Sequence, residues 1–407
     1  MNDRRSFRDR AFPAIARFAC AAVLITSCSD TELASRWQGT VDTLASGALH
    51  VRNPEAGLWS DEERWRIIED LRIGTPDAEG PDQFSSVAAI GVSPSGRIHV
   101  ADGASRTIRV FDRSGTYIHT IGHQGSGPGE FRSISGMVWD SLGRLWVSDP
   151  GNARYALYDS AGVHTGDRPM RTPGAVYPWL GGLGRDGFLY DAAGRGGPGG
   201  EVRFSYFRAD TSTGELIDSL PRFGGRPPQA AAFPMLFFPF MPRLTFRFDP
   251  RGYVWFGSTG EYRIVQLDMG GDTIRIIERP FSAPPVTAAE HDSIARELAL
   301  LPPDPVAPVS LRDIPSTKPV FDRIYVDGVG HLIIQINGTV DEQGRRFDVF
   351  DVEGRFLGTA ESDVAFSSLP APPVFTGSFV YGVTTDALGV QYVVRGRITR
   401  EPNQSGS

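Results

Sequence analysis

Seven histidines, His50, His99, His119, His123, His164, His291 and His331, are the side chains in this chain best suited to bind a transition metal or move a proton near neutral pH. A metal centre needs several imidazoles to converge. Only His119 and His123 are close in sequence, and they straddle the end of a β-rich run rather than sharing a helix face. They read as surface histidines. A serine nucleophile of the Gly-x-Ser-x-Gly type has no match. The run from Gly125 to Gly129, Gly-Ser-Gly-Pro-Gly, imitates a phosphate loop but lacks the following Lys-Ser/Thr and leads into a strand, so no helix N-terminus is offered to an anion. Asp102, Asp149 and Asp341 recur as if to make a charged ring, yet each closes a β-rich run, where capping of a turn accounts for the recurrence. No catalytic residue, metal ligand or cofactor is assigned.

The elements that must position these residues repeat. Gly96 and Gly143, Asp102 and Asp149, Asp112 and Asp159, and Gly115 and Gly162 are each 47 residues apart. A period of about 40–50 residues with several short strands per unit marks a β-propeller blade. Turns ending in Gly96, Gly143, Gly187, Gly252, Gly330 and Gly389 lie between β-rich runs, so six blades are expected. Their inner strands fall at 87–92, 135–139, 181–183, 244–248, 321–326 and 379–384, and Asp322 is the one acid among them. The fold expected is all-β, a six-bladed β-propeller whose last blade is closed by strands from both termini: 65–73 supplies an outer strand and 380–400 the inner ones. That blade's third strand is either 49–51 or 396–400. Two insertions interrupt the spacing. One, 222–242, is rich in Pro, Phe and Met; the other carries a helix, opened by a capping box at Thr287 and Glu290, with Ile294, Leu298 and Leu301 on one face, and stopped by Pro302 and Pro303.

The N-terminus reads as an export signal. Arg4, Arg5, Arg8 and Arg10 precede a short apolar core at 18–26, too short to span a bilayer. Small residues then lead directly into Cys28, in the order of a bacterial lipobox, and Ser29 is not the aspartate that signals inner-membrane retention. The Arg4-Arg5 pair also has the form of a twin-arginine signal, so the export route is open. The expected organisation is a lipoprotein signal at 1–27, a tether with a first strand at 28–60, the propeller at 61–400 and a tail at 401–407, with Cys28 as the lipid attachment site and the outer membrane, facing periplasm or surface, as the destination. Cleavage before Cys28 leaves one cysteine and so no intrachain disulfide. The formal charge is −7, which argues against nucleic acid as a partner.

The units resemble NHL repeats, in which a Gly-Pro-Gly-Glu-Phe segment leads to a strand, an Asp-x-x-Gly turn and then Val-Ala-Asp. Gly127 to Phe131 and Val100 to Asp102 carry the resemblance most closely. The resemblance implies a six-bladed fold and an Arg five residues beyond the strand-end Asp. Arg154, Arg263 and Arg346 stand in that place, pairing with carboxylates between blades, while blade one departs with Thr107. It also implies two rival chemistries: an axial divalent cation held by Glu, Asn and Asp, as in gluconolactonase-like propellers, and an axial histidine-bound zinc, as in the amidating lyases. The inner strands here supply neither set.

Phe233, Met235, Phe237, Phe238 and Phe240, in a proline-stiffened insertion, form a candidate binding patch. The reading that follows is an exported, lipid-anchored propeller acting as a non-catalytic binding or scaffolding module for an envelope protein, peptide or glycan, touching the membrane through its lipid alone. A metal-dependent lactonase or hydrolase is the alternative, and a purely structural envelope protein a third possibility.

Overall fold

The computed structural model describes residues 36–76, 80–172, 177–196, 202–220, 223–225, 240–300, 314–338 and 344–400. All its strands lie in the unit Gln38–Ser407; of the preceding unit, Met1–Trp37, only Arg36 and Trp37 are described.

Six tight turns set the architecture. Gly96, Gly143, Gly187, Gly252, Gly330 and Gly389 all have φ between +75° and +112°, a conformation that strains any residue with a Cβ. Aspartates reinforce several of these turns. The Asp140 carboxylate accepts from the backbone N–H groups of Leu142 at 3.0 Å and Arg144 at 2.8 Å, and Asp386 does the same for Leu388 and Val390, each at 2.9 Å. The first five turns join the inner edge strand of a sheet to the next strand outward; the Gly389 turn joins 379–385 to 391–400, with 374–376 paired on the inner side, so the strand expected to be innermost in the last blade is second from that edge.

The chain enters through a hairpin, β1 (Thr40–Thr43) and β2 (Leu49–Arg52), followed by β3 (Trp65–Ile73). Blade one is β4 (Val87–Val92), β5 (Ile98–Asp102), β6 (Thr107–Phe111) and β7 (Tyr117–Ile121). Blade two repeats it with β8 (Gly136–Trp139), β9 (Leu145–Asp149), β10 (Arg154–Tyr158) and β11 (His164–Pro169). Blade three has β12 (Gly182–Leu183), β13 (Phe188–Gly196), β14 (Val202–Asp210) and β15 (Leu216–Ser219), with β16 (Phe223–Gly225) also on β14. Blade four is β17 (Leu244–Asp249), β18 (Tyr253–Ser258), β19 (Arg263–Asp268) and β20 (Thr273–Glu278). After the helix α1 (Ala288–Leu300) comes blade five, β21 (Phe321–Val326), β22 (Leu332–Ile336), β23 (Arg346–Phe350) and β24 (Phe356–Ser362). Blade six holds β25 (Val374–Thr376), β26 (Phe379–Thr385) and β27 (Gln391–Arg400), and β3 completes it. The protein is a six-bladed β-propeller.

The ring closes by pairing chain ends. β27 runs antiparallel to β3 from Val393↔Ile73 to Arg400↔Trp65, so 396–400 is the far end of the long strand β27 and not a strand of its own. β3 in turn pairs in parallel with β24 at Arg66 and Ile67, joining blades five and six into one eight-stranded sheet. The segment 49–51 goes elsewhere: β2 pairs in parallel with β20, extending blade four outward, with β1 beyond it. The capping box forms around α1, where Thr287 N–H donates to Glu290 Oε2 at 2.9 Å and Glu290 N–H returns to Thr287 Oγ1 at 3.3 Å. Ile294 is buried; Leu301 lies outside the described residues.

The core is a series of layers between blades. Ala101, Ile108, Val110, Phe131, Leu145, Val147 and Tyr158 fill the seam of blades one and two. Tyr190, Tyr206, Phe246, Phe248 and Val254 fill that of blades three and four, with Tyr190 stacked on Phe248 at 4.8 Å between ring centroids. The repeated Gly-Pro-x-x-Phe segment is the plug of such a seam. Phe131 is fully buried, and a Cβ at Gly122, which has φ +70°, would meet its ring at 2.3 Å.

Candidate functional site: a cationic inner wall

The innermost strands of most blades are apolar or small: Val-Ala-Ala-Ile-Gly-Val in β4 and Gly-Met-Val-Trp in β8. Blades four and five differ. Arg243 stands just before β17, Arg247 is the fourth residue of β17, and Arg323 is the third of β21. Because antiparallel strands alternate direction, inner strands begin on the face opposite their first turns, the face on which the chain crosses between blades. Both insertions are such crossings. The first, 222–242, ends immediately before Arg243, and α1 lies in the second. Arg243 therefore sits at the mouth of the ring on the insertion-bearing face, with Arg247 roughly 13 Å further along the chain direction.

Asp322 is the extra residue of a register shift between Phe321 and Arg323, and its carboxylate pairs with the Arg243 guanidinium. Arg247 and Arg323 have no carboxylate partner among the described residues. The Nε atoms of Arg243 and Arg323 are buried with no hydrogen-bond partner among those residues. Burial pushes the Arg243 guanidinium down to about 10, with repulsion from Arg323 adding to it. Burial likewise lowers Arg247 and Arg323, opposed in each case by the Tyr325 hydroxyl. All three side chains are only half-buried, as expected of groups lining an interior channel. Arg247, Arg323, Thr245, Tyr325, Pro178 and Leu369 border one narrow cavity of about 10 Å³, room for about a single water. Tyr325 is committed elsewhere, its hydroxyl donating to Gln335 Oε1 at 2.7 Å. Three guanidiniums against one carboxylate leave this wall with net positive charge.

A larger cleft, about 400 Å³, lies at the perimeter, where Arg52 and Asn53 of the entry hairpin meet Tyr262, Arg263, Glu278 and Arg279. Its charges are compensated internally. Glu278 receives Arg263 and, at 2.8 Å, His50, while Arg279 and Tyr262 both donate to the buried Asp348 at 2.6 and 2.5 Å. This network is a seam between blades four and five, whereas the uncompensated charge lies on the inner wall.

The residues singled out by the sequence fall mainly on the perimeter. Asp102 accepts from Ala104 and Ser105 N–H at 3.0 and 3.3 Å and, across the incoming connection, from Ser85 N–H at 3.2 Å. Asp149 takes Ser133 N–H at 2.9 Å and the Asn152 amide at 2.6 Å. Arg154 reaches Asp149 and Asp167 at 3.6 and 3.1 Å and donates to the carbonyls of Gly127 and Glu130 at 2.7 and 2.6 Å. Its carboxylate partners belong to its own blade, as does Glu278 for Arg263, so for these two arginines the partner is within the blade and not, as expected, across to the next. Neighbouring antiparallel strands bring the partners closer than the next blade does, since Arg263 lies directly opposite Glu278. Arg346 lies opposite Glu361 in the same way, its charge also felt by Asp348. Blade one does not lack the arginine. Arg109 pairs with Asp102 at 3.3 Å and donates to the carbonyls of Pro81, at 3.2 Å, and Gln83. Phe240 is half-buried with φ +61°, its ring 5.5 Å from Lys318 Nζ, and Lys318 is in turn tied to Glu290 at 2.5 Å. Cys28, Phe233, Met235, Phe237, Phe238 and Asp341 lie outside the described residues. No histidine falls on an innermost strand, and no group of three or more His, Cys, Asp or Glu among the described residues is placed to hold a metal ion.

Residues 83–163 match the family model DUF5128, described as a 6-bladed beta-propeller. No curated protein matches the sequence. Among solved structures, a protein of Bacteroides fragilis described as exported is 11% identical, with 86% of this chain and 99% of that one covered and a TM-score of 0.48. Virginiamycin B lyase from Staphylococcus aureus is 11% identical over 83% of this chain and 100% of its own, with a TM-score of 0.43. Regucalcin, a calcium-binding protein from Agrobacterium tumefaciens, is 13% identical over 83% and 97%, with a TM-score of 0.39.

Proposed function

We propose that this propeller is an exported, lipid-anchored binding module of the cell envelope that holds, without turning it over, a protein, peptide or glycan presenting an acidic group. Arg243 and Arg323 receive that group at the mouth of the ring, and the two insertions around the mouth supply the remaining contacts. The observation that supports this reading is the inner wall itself: three arginines against one aspartate, concentrated in a chain whose formal charge is −7. Cations gathered on one wall with too little counter-charge repel one another, as Arg323 does Arg243, and an incoming anion offsets that cost. Such a wall also repels a divalent cation, which separates this reading from a metal-dependent lactonase. Attachment would be through Cys28 at the outer membrane; no described helix is long and apolar enough to cross a membrane.

The test places a photo-crosslinking amino acid at Phe240 in cells expressing the full chain. A discrete adduct is expected in intact envelopes and should disappear in the Arg243→Gln, Arg323→Gln double variant, provided the variant retains its thermal transition. An adduct of unchanged intensity in that folded variant, or chelator-sensitive turnover of lactones or esters by the unaltered protein, overturns the reading.

A further inference from the structure

We propose that helix α1 is a latched flap on the insertion-bearing face, able to open while the ring stays folded, and that Lys318 is its latch. Lys318 is the only lysine in a sequence otherwise supplied with arginine. It is 6% exposed, and its ammonium serves three separate segments. It meets Glu290 Oε1 in the first turn of α1 at 2.5 Å, donates to the Gly338 carbonyl after β22 at 2.8 Å, and lies 5.5 Å from the centroid of the Phe240 ring. A compact ammonium with three donors can face three directions, which a planar guanidinium fork cannot. One side chain thus joins α1, the end of the first insertion and blade five.

α1 is otherwise thinly attached. The second insertion leaves the ring through a short neck, where Lys318 N–H donates to the Pro284 carbonyl at 2.7 Å and Val286 N–H to the Ser316 carbonyl at 3.0 Å, and α1 follows beyond it in the chain. Of the helix residues whose burial is described, only Ile294 is buried, and Glu290–Lys318 is the one ion pair among the described residues that ties the helix to the ring. A helix of 13 residues is marginal on its own in water, where the limit lies at about 12–15. A unit with so little buried surface opens locally, more readily than the sheets beside it. Glu290 ties the latch to the helix itself, since its other oxygen accepts from Thr287 N–H and Oγ1 at the helix start, each at 2.9 Å. Phe240 shares the same ammonium. Its φ of +61° is one that a phenylalanine keeps only where its surroundings fix it, so displacing Phe240 loosens α1 and releasing α1 frees Phe240. The latch rests on these contacts alone; only its use in binding rests on the proposed function.

The test is amide hydrogen exchange, read by mass spectrometry on the full chain in detergent. In the unaltered protein, 288–300 should exchange through local opening that sub-denaturing urea barely accelerates, while β21 and β22 exchange only on global unfolding. Lys318→Met leaves the capping box intact, and Glu290→Gln keeps an acceptor for Thr287. Each should speed exchange in 288–300 at least about tenfold and leave β21 and β22 unchanged. Phe240→Ala should speed the same segment by a smaller factor, and no change there strikes the coupling to Phe240. If α1 and the blade strands of the unaltered chain exchange in one common urea-dependent step, the flap is overturned, whatever the variants do. Unchanged exchange of 288–300 in both folded latch variants overturns the latch. Either failure, alongside a Phe240 adduct that still depends on Arg243 and Arg323, would remove this inference and leave the proposed function intact.

Discussion

His99 shows how burial sets the behaviour of a single group. It lies on the second strand of blade one, 4% exposed, edge-on to Trp139 with 5.1 Å between ring centroids, and its Nδ1 is 3.3 Å from the Arg97 carbonyl. Burial pushes its pKa down to about 4, opposed by that carbonyl and aided by the charges of His119 and Arg97. The folded state thus keeps His99 neutral, while the unfolded chain takes up a proton near its ordinary value of about 6.5. Between those values the unfolded state binds more protons, so stability is full above about pH 6.5 and falls as pH drops towards 4, by about 3 kcal/mol. Denaturant unfolding from pH 7 to 4.5 should show this fall in the native protein and a visibly flatter profile in His99→Gln. Parallel profiles would mean that His99 titrates normally. Arg109 makes a second point at this scale. The repeat places the arginine at 107, where the chain has Thr, yet Arg109 makes comparable contacts, to the strand-end Asp102 and to the carbonyls of Pro81 and Gln83. Residues two apart in a strand share a face, so a shift of two positions keeps the side chain aimed at Asp102. The inner-wall arginines were readable too, as cations on strands whose counterparts in other blades are apolar. A search for oxygen and imidazole ligands passes over them, because those are the signs of a cation site.

Among the elements, those governed by local chemistry were legible and those governed by distant pairing were not. The strands entering the six glycine turns and the capping box follow from glycine, aspartate and β-branched residues within a few positions of one another. The entry hairpin does not, because β2 finds its partner β20 more than two hundred residues later. Asn53 fixes that docking. It is 5% exposed, accepts from Phe356 N–H at 2.7 Å, and donates to the carbonyls of Gly354 and Glu278 at 3.0 and 3.3 Å, so one amide joins the hairpin to the seam of blades four and five. Removing it leaves buried backbone groups unpaired. Asn53→Ala should cost about 3 kcal/mol in urea unfolding and expose the segment before β3 to protease. A variant as stable and as resistant as the native chain would reduce the hairpin to an ornament on blade four. Blade three, the weakest match to the repeat, keeps its seams through different residues: Asp191 receives the Tyr155 hydroxyl from blade two and the Trp179 indole N–H at 3.0 Å.

For the whole molecule, the repeat made the number of blades and the meeting of the termini legible, since an open propeller would leave two edges unpaired. Charge distribution was the part that composition concealed. A formal charge of −7 describes the surface average, while the inner wall of blades four and five is cationic. The Arg279–Asp348 pair bridges blades four and five, whereas Arg247 and Arg323 at the axis have no carboxylate partner among the described residues. The most direct measurement is native mass spectrometry of the full chain released gently from envelopes, beside the Arg243→Gln, Arg323→Gln variant. The account predicts a stoichiometric, acidic ligand on the native protein that the folded variant does not retain. Equal retention by both, or in its place one divalent cation per chain whose chelation lowers Tm, would contradict it.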